Sequence, residues 1–251
     1  MVKSILNTLL FIGLLTVGFT VKAQEKSVNY YNYIDAYDLS GLWTGDKLSI
    51  WVEDHFQEID FPEPLGYIGN NYQRFYIHYT SVIKDATNPY NYKVKGKTRV
   101  NNTICSFKGT ITVIGAYIDP QLHLGKYNRG QVICKVDLQE DPRQPESGYF
   151  KGSMVSNWYL DKKELHYDAI DIVSDNFCNN QCIATWTSYK THQTKTCKWG
   201  DFRIPKSGNL DIGTGEFRVN QKFVGNGWKN YQLSLDRNKK ASQLERSIWW
   251  K

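Results

Sequence analysis

The sequence predicts an all-β protein in which consecutive antiparallel strands close, or nearly close, into a barrel. Apolar and polar residues alternate with a period of two in many successive runs, which places one face of each strand in a core and the other in water. Short connections rich in Gly, Asn, Asp and Pro separate the runs, which favours pairing between neighbours in the chain. Closing such a meander hides its edges, and a two-sheet β-sandwich is the alternative.

Residues 1–23 read as an export signal. Lys3 supplies the positive charge, an apolar run follows, and Val21-Lys22-Ala23 offers a cleavage site that leaves Gln24 as the new N-terminus. The alternative is an uncleaved membrane anchor, but the run is at the short end of the roughly 17 to 25 residues that a spanning helix needs. We therefore expect a secreted or periplasmic protein.

The remaining chain is expected to form one β domain, at residues 38–237. An N-terminal extension (24–37) precedes it and a basic C-terminal tail (238–251) follows. The net charge is +6 for the whole chain, too mild to indicate nucleic acid or an anionic membrane as a partner. Nothing in the mature chain is long and apolar enough to span a membrane. We expect a monomer that carries no cofactor.

The clearest alternating run is YKVKGKTRV, at residues 92–100. Tyr92, Val94, Gly96, Thr98 and Val100 share one face, and the cationic side chains share the other. Other runs that predict strands are RFYIHYTSVI, FKGTITV, QVICKVDLQ, YFKGSMVSNWYL, ELHYDAI and CIATWTSY. One buried and one wet face in each of these runs indicates an antiparallel sheet.

Two of these runs share a local pattern, FKGTI at 107–111 and FKGSM at 150–154. In both, the glycine (Gly109 or Gly152) lies on the inward face, where the missing side chain lets a strand bend or a neighbour pack over it. After about residue 190 the sequence reads as loops or short strands. The tail from Asn238 predicts a short helix that ends near Trp249 and Trp250.

Five cysteines in an exported chain predict disulfides, with one thiol left over. Cys105 and Cys134 face inward, but a tight hairpin sets Cys134 opposite about residue 113, so these two need not touch. Cys178–Cys182 is the preferred pair, and Cys197 completes the candidates. Zinc ligation by Cys178, Cys182, His192 and Cys197 is the alternative, but the spacing fits no zinc pattern, and no metal is predicted.

Two sets of residues are candidates for binding. Lys93, Lys95, Lys97 and Arg99 lie on one strand face and could hold a polyanion, or they are a solvated face that discourages edge pairing. Aromatic residues near strand ends or in loops, among them Tyr72 and Trp228, could stack on sugar rings, or they fill the core. Because no catalytic motif is recognisable, we name no catalytic residues and favour a binding protein over an enzyme.

Gly41-Leu42-Trp43, in the stretch DLSGLWTGDKLSIW, stands where the first strand is expected. This Gly-x-Trp resembles the opening motif of the lipocalins and of the wider calycin group. The resemblance implies that Trp43 plugs one end of the barrel while the other end admits a small apolar ligand. It also implies an arginine that closes over the tryptophan, for which Arg203 and Arg218 are candidates.

Three functions follow in order of preference. The first is an exported binding protein that holds a small apolar molecule inside a calycin-like barrel. The second is a surface module that binds a glycan or a protein through exposed aromatic and lysine side chains. The third is a hydrolase without a recognisable motif.

Overall fold

The computed structural model describes residues 27–52, 55–120 and 127–251 of the chain. The export signal predicted for 1–23, and Gln24, lie outside the described residues. The described chain contains one large antiparallel sheet, a separate two-stranded sheet, and short helices near its two ends.

Eight strands of the large sheet form a ring. They are β4 (Leu65–Ile68), β5 (Gln73–Lys84), β6 (Asn91–Val100), β7 (Thr103–Ile118), β8 (Asn128–Glu140), β9 (Gly148–Asp161), β11 (Asn179–Ser188) and β12 (Thr194–Asp201). Two short strands lie beside them, β1 (Val28–Asn29) on β7 and β10 (Glu164–Tyr167) on the end of β9. All of these pairings are antiparallel.

The ring closes because its last strand pairs with its first. Each strand from β4 to β9 pairs with the next, β9 pairs with β11, and β11 pairs with β12. β12 then returns to β4, with Cys197 opposite Ile68 and Gly200 opposite Leu65. The predicted closed meander is therefore confirmed, and the two-sheet sandwich is not the architecture adopted.

The alternation in the sequence sets which side chains enter the ring. On β6, Tyr92, Val94 and Thr98 are buried while Lys93 and Lys95 are exposed. On the β7–β8 hairpin the register places Cys134 opposite Val113, as expected from the sequence. The interior is filled by aliphatic and aromatic side chains from all of these strands over most of its length.

Glycines allow neighbouring strands to approach closely at the repeated FKG pattern. A Cβ on Gly109 would lie 2.0 Å from the Asp137 carbonyl oxygen, and one on Gly152 would lie 2.4 Å from the Ile183 carbonyl oxygen. The prediction that a missing side chain serves packing is confirmed: the neighbour of Gly109 is strand backbone, and that of Gly152 is backbone together with the Ala184 side chain.

The stretch that contains Trp43 does not open the ring, which corrects the sequence prediction. Ser40–Leu42 form a single 3₁₀ turn with Trp43 directly after it. β2 (Lys47–Val52) then pairs only with β3 (His55–Asp60), in the separate two-stranded sheet. A short helix, α1 (Tyr31–Ile34), precedes this turn. The N-terminal segment is therefore an addition to the ring.

The C-terminal segment packs against the outside of β4 and β5. Its helices are α2 (Lys229–Leu235) and α3 (Lys239–Glu245), with 3₁₀ turns at Gly208–Leu210 and Gln221–Phe223. Asn238 caps α3 by accepting a hydrogen bond from the Ala241 amide. The predicted C-terminal helix is confirmed, but it ends at Glu245 and does not reach the two tryptophans. The sequence predicts only loops or short strands after about residue 190, whereas β12 is an eight-residue strand of the ring.

The two terminal tryptophans dock on the ring. Trp250 stacks on His78 with ring centroids 3.7 Å apart, and Trp249 packs near Tyr76 and under the Arg99 guanidinium. None of the helices in the described part of the chain has the length and apolar character that crossing a membrane requires.

Candidate functional site

Trp43 lies buried at one end of the ring. Its side chain is 3% exposed, and its indole Nε1 donates a 2.8 Å hydrogen bond to the Ser156 hydroxyl. The ring packs edge-on against Tyr92, at the start of β6, with centroids 5.1 Å apart. The neighbouring Leu42 carbonyl accepts a hydrogen bond from the Asn180 side chain at the start of β11. These contacts place Trp43 where β6 and β11 begin and β9 approaches its end.

The arginines considered as partners of Trp43 are engaged elsewhere. Arg203 pairs with Asp211 and donates to the Gly213 and Gly215 carbonyls. The Arg218 guanidinium lies 4.0 Å from Glu216. The Trp43 contacts described above are instead with a serine and a tyrosine.

The opposite end of the ring opens into a cavity of about 680 Å³. Its wall is built from the ends of the strands, including the start of β12, and from the turns that join β4 to β5, β6 to β7 and β8 to β9. The lining residues are Ile68, Gly69, Asn70, Asn71, Gln73, Phe75, Thr98, Val100, Asn101, Thr103, Cys105, Glu140, Glu146, Phe150, Trp186, Thr194, Lys195 and Thr196. This volume falls within the range of small-molecule sites, roughly 300 to 1,000 Å³.

A buried carboxylate, Glu140, lies in the wall of this cavity. It is 5% exposed and accepts hydrogen bonds from the Thr98 hydroxyl, the Trp186 indole and the Gly148 amide. Burial raises the pKa of the Glu140 carboxyl, and these three hydrogen bonds oppose that rise. The three donors are neutral, so the ionised carboxylate has no counter-charge among them.

Gly148 allows the Trp186 indole to reach Glu140. A Cβ at position 148 would lie 2.7 Å from the indole nitrogen of Trp186, so only glycine leaves the ring room to lie over the backbone. The Gly148 amide and the indole donate to the same carboxylate oxygen, at 2.8 and 3.0 Å. Gly148, the first residue of β9, therefore provides one donor with its own amide and leaves room for the other, the Trp186 indole.

Aromatic rings and one ammonium group complete the cavity. Phe75 and Phe150 lie with ring centroids 5.5 Å apart, and the fully buried Trp199 packs behind both. At the mouth, the Lys195 ammonium is 5.6 Å from the centroid of the Trp186 ring. The cavity thus offers flat apolar faces together with a buried hydrogen-bond acceptor.

The rim of the cavity is held by the C-terminal segment. The Gln73 side-chain amide donates to the Asn226 carbonyl and to the Asn101 side chain, at 2.9 and 3.0 Å. Asn226 in turn donates to the Asn71 carbonyl at 2.6 Å. The turn between β4 and β5 is therefore tied both to the β6–β7 turn and to residues far along the chain.

All five cysteines are free thiols, which corrects the disulfide prediction. Cys178 is part-exposed just before β11, whereas Cys182 is fully buried in the ring interior, and both thiols are free. Cys105 is eight positions along β7 from Val113, the residue opposite Cys134, which is on the order of 26 Å of strand. Cys182 and Cys197 lie buried in the ring interior.

The thiol in the cavity wall is not a nucleophile in this setting. Burial raises the pKa of Cys105 to about 12, with nearby carboxylates such as Glu140 adding to the rise. A thiol with so high a pKa is protonated at neutral pH, and the thiolate is the reactive form.

The alternative zinc ligands are dispersed. Cys178 precedes β11, Cys182 and Cys197 face the ring interior, and His192 is exposed in the β11–β12 turn. Within the described ranges, no three His, Cys, Asp or Glu side chains are grouped as metal ligands would be.

The four residues of the predicted cationic row have different surroundings in the structure. Lys93 pairs with Asp85 at 2.8 Å, and the Arg99 guanidinium lies 4.0 Å from the Tyr76 ring centroid. Lys95 points into solvent and stands directly opposite Lys108 on β7. Lys97 is half-buried opposite Ser106. The row is outside the ring, away from the cavity.

The predicted aromatic residues belong to a second core under the C-terminal segment. Trp228 is fully buried, donates from Nε1 to the Tyr72 carbonyl and lies against the Arg74 guanidinium. Tyr72 packs against Tyr67 and Phe223. Protein therefore covers the face of Trp228, and its side chain fills a core and is not exposed for stacking on a sugar ring.

Glu140, Trp186 and Gly148 were not among the residues singled out from the sequence. The signal was present for Glu140, because it continues the series Val132, Cys134, Val136 and Leu138 that faces inward on β8. A carboxylate at the next inward-facing position after a series of buried apolar residues indicates an internal polar site.

The fold and the site define a ring of eight antiparallel strands, with a buried tryptophan at one end and a cavity at the other. No family model, curated protein or solved structure matches the chain.

Proposed function

We propose that this protein binds a small molecule with an apolar body in the cavity at the open end of the ring. The observation that carries the proposal is the cavity of about 680 Å³, lined by Phe75, Phe150 and Trp186 and ending at the buried Glu140. Pockets of this kind bury most of a small ligand against apolar walls and orient it through a few polar groups. The plugged and open ends also agree with the arrangement that the calycin resemblance implies.

The first test is native mass spectrometry of the protein purified from its own host. A retained small molecule, released on unfolding, supports the proposal. Its binding is then measured with the Val100→Trp variant, which places an indole in the cavity wall, and with Ile183→Trp, which adds the same group on the outer face of β11. We expect at least a tenfold loss of affinity for Val100→Trp and none for Ile183→Trp; equal affinities would refute the cavity as the site.

We further propose that the protein acts after export, with cleavage following Ala23. The support is the sequence of residues 1–23 described above. Mass spectrometry of the mature protein tests this, because cleavage leaves Gln24 at the N-terminus. A cell-associated protein that retains Met1 would contradict export by a cleaved signal.

A second candidate function is polyanion or glycan binding on the outer face of β6 and β7. The observation in its favour is that Lys95 and Lys108 are directly opposite each other, with Lys97 nearby. Like charges in this position destabilise a sheet unless an anion lies over them. Replacing Lys95, Lys97 and Lys108 by Ser should abolish retention on heparin at low salt if this face binds polyanions, and leave the cavity ligand bound.

A further inference from the structure

The buried acids of this protein fall into two groups. Asp168 is neutralised by Arg129 at 2.7 Å, and Asp211 is neutralised by Arg203. Glu140 and Asp201 have no such partner: among the described residues, no Lys, Arg or His nitrogen forms an ion pair with either. Asp201 lies at the other end of the ring, where it accepts hydrogen bonds from Asn180 and Tyr167. Glu140 is thus the unpaired buried acid that lines the solvent-open cavity.

The acceptor capacity of Glu140 is not exhausted by the protein. One oxygen accepts from both Trp186 and Gly148, and the other accepts from Thr98. A carboxylate oxygen can accept two hydrogen bonds, so the oxygen bonded to Thr98 retains one free lone pair. The carboxylate is held in place by its neutral donors and can still accept a hydrogen bond from the cavity.

The aromatic side chains beside Glu140 are suited to a cation. Trp186 and Phe150 both line the cavity, and the indole nitrogen of Trp186 is 3.0 Å from the carboxylate. Aromatic faces attract ammonium groups through the electrostatics of the ring, most strongly where water is excluded. The protein's own Lys195 ammonium already lies 5.6 Å from the Trp186 ring centroid.

We propose that the ligand of this cavity is an organic cation, an ammonium group on an apolar body, with the ammonium at Glu140 and the body along Phe150 and Trp186. This inference rests on the proposed function. A neutral hydroxyl could also donate to Glu140, but it would leave the buried negative charge uncompensated, and an anion would be repelled by it. Lys195 competes for the same aromatic face from the mouth of the cavity.

The test uses three probes of one shape, 1-naphthylmethylamine, 1-naphthylmethanol and 1-naphthoate, with binding measured by calorimetry at neutral pH. We expect the amine to bind the wild type at least tenfold more tightly than the alcohol, and the carboxylate to bind more weakly than either. Glu140→Gln keeps the shape and can keep the contacts to Trp186, Gly148 and Thr98, so it should abolish the preference for the amine while the alcohol binds as before.

A second variant separates this charge effect from a loss of structure. Lys195→Gln removes the competing ammonium, and we expect it to strengthen amine binding about threefold, opposite in sign to Glu140→Gln. Equal binding of amine and alcohol to the wild type, or a preference that survives Glu140→Gln, would overturn the inference and leave the binding function standing. If no probe binds, or if binding is unchanged in Val100→Trp, both the proposed function and this inference fail.

Discussion

The indole nitrogen of Trp43 and the hydroxyl of Ser156 are joined by a buried 2.8 Å hydrogen bond between residues 113 positions apart. Trp43 belongs to a segment that contributes no strand to the ring, and Ser156 lies on β9 and is fully buried. This bond therefore fixes the N-terminal segment across one end of the ring.

Removing the plug should strongly destabilise the protein. We expect Trp43→Ala to lower the free energy of unfolding by about 3 to 5 kcal/mol, because it leaves a large cavity at a buried site. Ser156→Ala should cost about 1 to 3 kcal/mol, because it leaves the indole nitrogen buried without an acceptor. Urea unfolding measures both, with the exposed Val173→Ala as the control. A Trp43→Ala variant as stable as the wild type would show that this end needs no plug.

The ion pair of Arg129 and Asp168 gives a second prediction. Arg129 Nε is 2.7 Å from Asp168, and a second guanidinium nitrogen is 2.7 Å from Asp171. Asp168→Ala leaves the largely buried Arg129 with only the half-exposed Asp171 as a partner. Breaking a buried pair costs about 3 to 5 kcal/mol when the remaining charge is unpaired, and we expect the lower end of that range because Asp171 remains. The matched control is the double variant Arg129→Met/Asp168→Leu, which removes both charges and should recover much of the loss in thermal unfolding. A double variant less stable than Asp168→Ala would contradict this explanation.

The close approach of β7 and β8 at Gly109 gives a third prediction. Gly109→Ala would force the neighbouring strand away at Asp137 and Leu138, and we expect a cost of about 1 to 3 kcal/mol or more, as for overpacking. Gly225→Ala is the control, because a Cβ there meets nothing within 4 Å. Denaturant midpoints of the two variants should differ clearly. Equal midpoints would mean that the strands separate at little cost.

The stability of the protein should depend on pH through Asp201. This residue is 1% exposed, and burial raises the pKa of its carboxyl from 3.8 to about 7, although Asn180 and Tyr167 donate hydrogen bonds to it. The unfolded carboxyl ionises near pH 4, whereas the folded one stays protonated until about pH 7. The contribution of Asp201 to the free energy of unfolding is therefore fully present below pH 4. It is lost as the pH rises to about 7, and the loss is on the order of 4 kcal/mol.

Asp201→Asn isolates this effect, because its side-chain oxygen can accept the same two hydrogen bonds without ionising. We expect the midpoint of thermal unfolding of the wild type to fall between pH 5 and pH 8 and that of Asp201→Asn to fall less, so that the variant is the more stable protein at pH 8. A variant with the same pH profile as the wild type would show that Asp201 does not control it.

Much of the ring could be predicted from the sequence, because the period of two is strong on the central strands. The alternation assigned Tyr92 and Val94 to the interior, and turn chemistry set the register that places Cys134 opposite Val113. β12 was less visible: residues from both of its faces, Trp199 and Gly200, are buried, so burial does not alternate to the end of this strand.

The site was less accessible to sequence reasoning than the ring. Glu140 carried a readable signal, since it continues a buried series, but its partners Thr98, Gly148 and Trp186 come from three other strands. Only the closed ring brings these strands together at one end. The disulfide prediction, which relied on the expected export of the chain and on cysteine number, was wrong: all five cysteines are free, and Cys105 lies eight positions along β7 from the residue opposite Cys134.

The ring has an even number of strands, so the chain enters it at β4 and leaves it at β12 from the same, plugged end. The N-terminal segment ends there and the C-terminal segment starts there, and Asn226 and Trp228 of the latter form hydrogen bonds with Asn71, Tyr72 and Gln73 beside the cavity. The opening itself is framed by hairpin turns, which neither begin nor end the sheet. Loops in such positions tolerate changes in length and composition, so selectivity at the mouth could diversify while Trp43 and the filled part of the interior keep the scaffold unchanged.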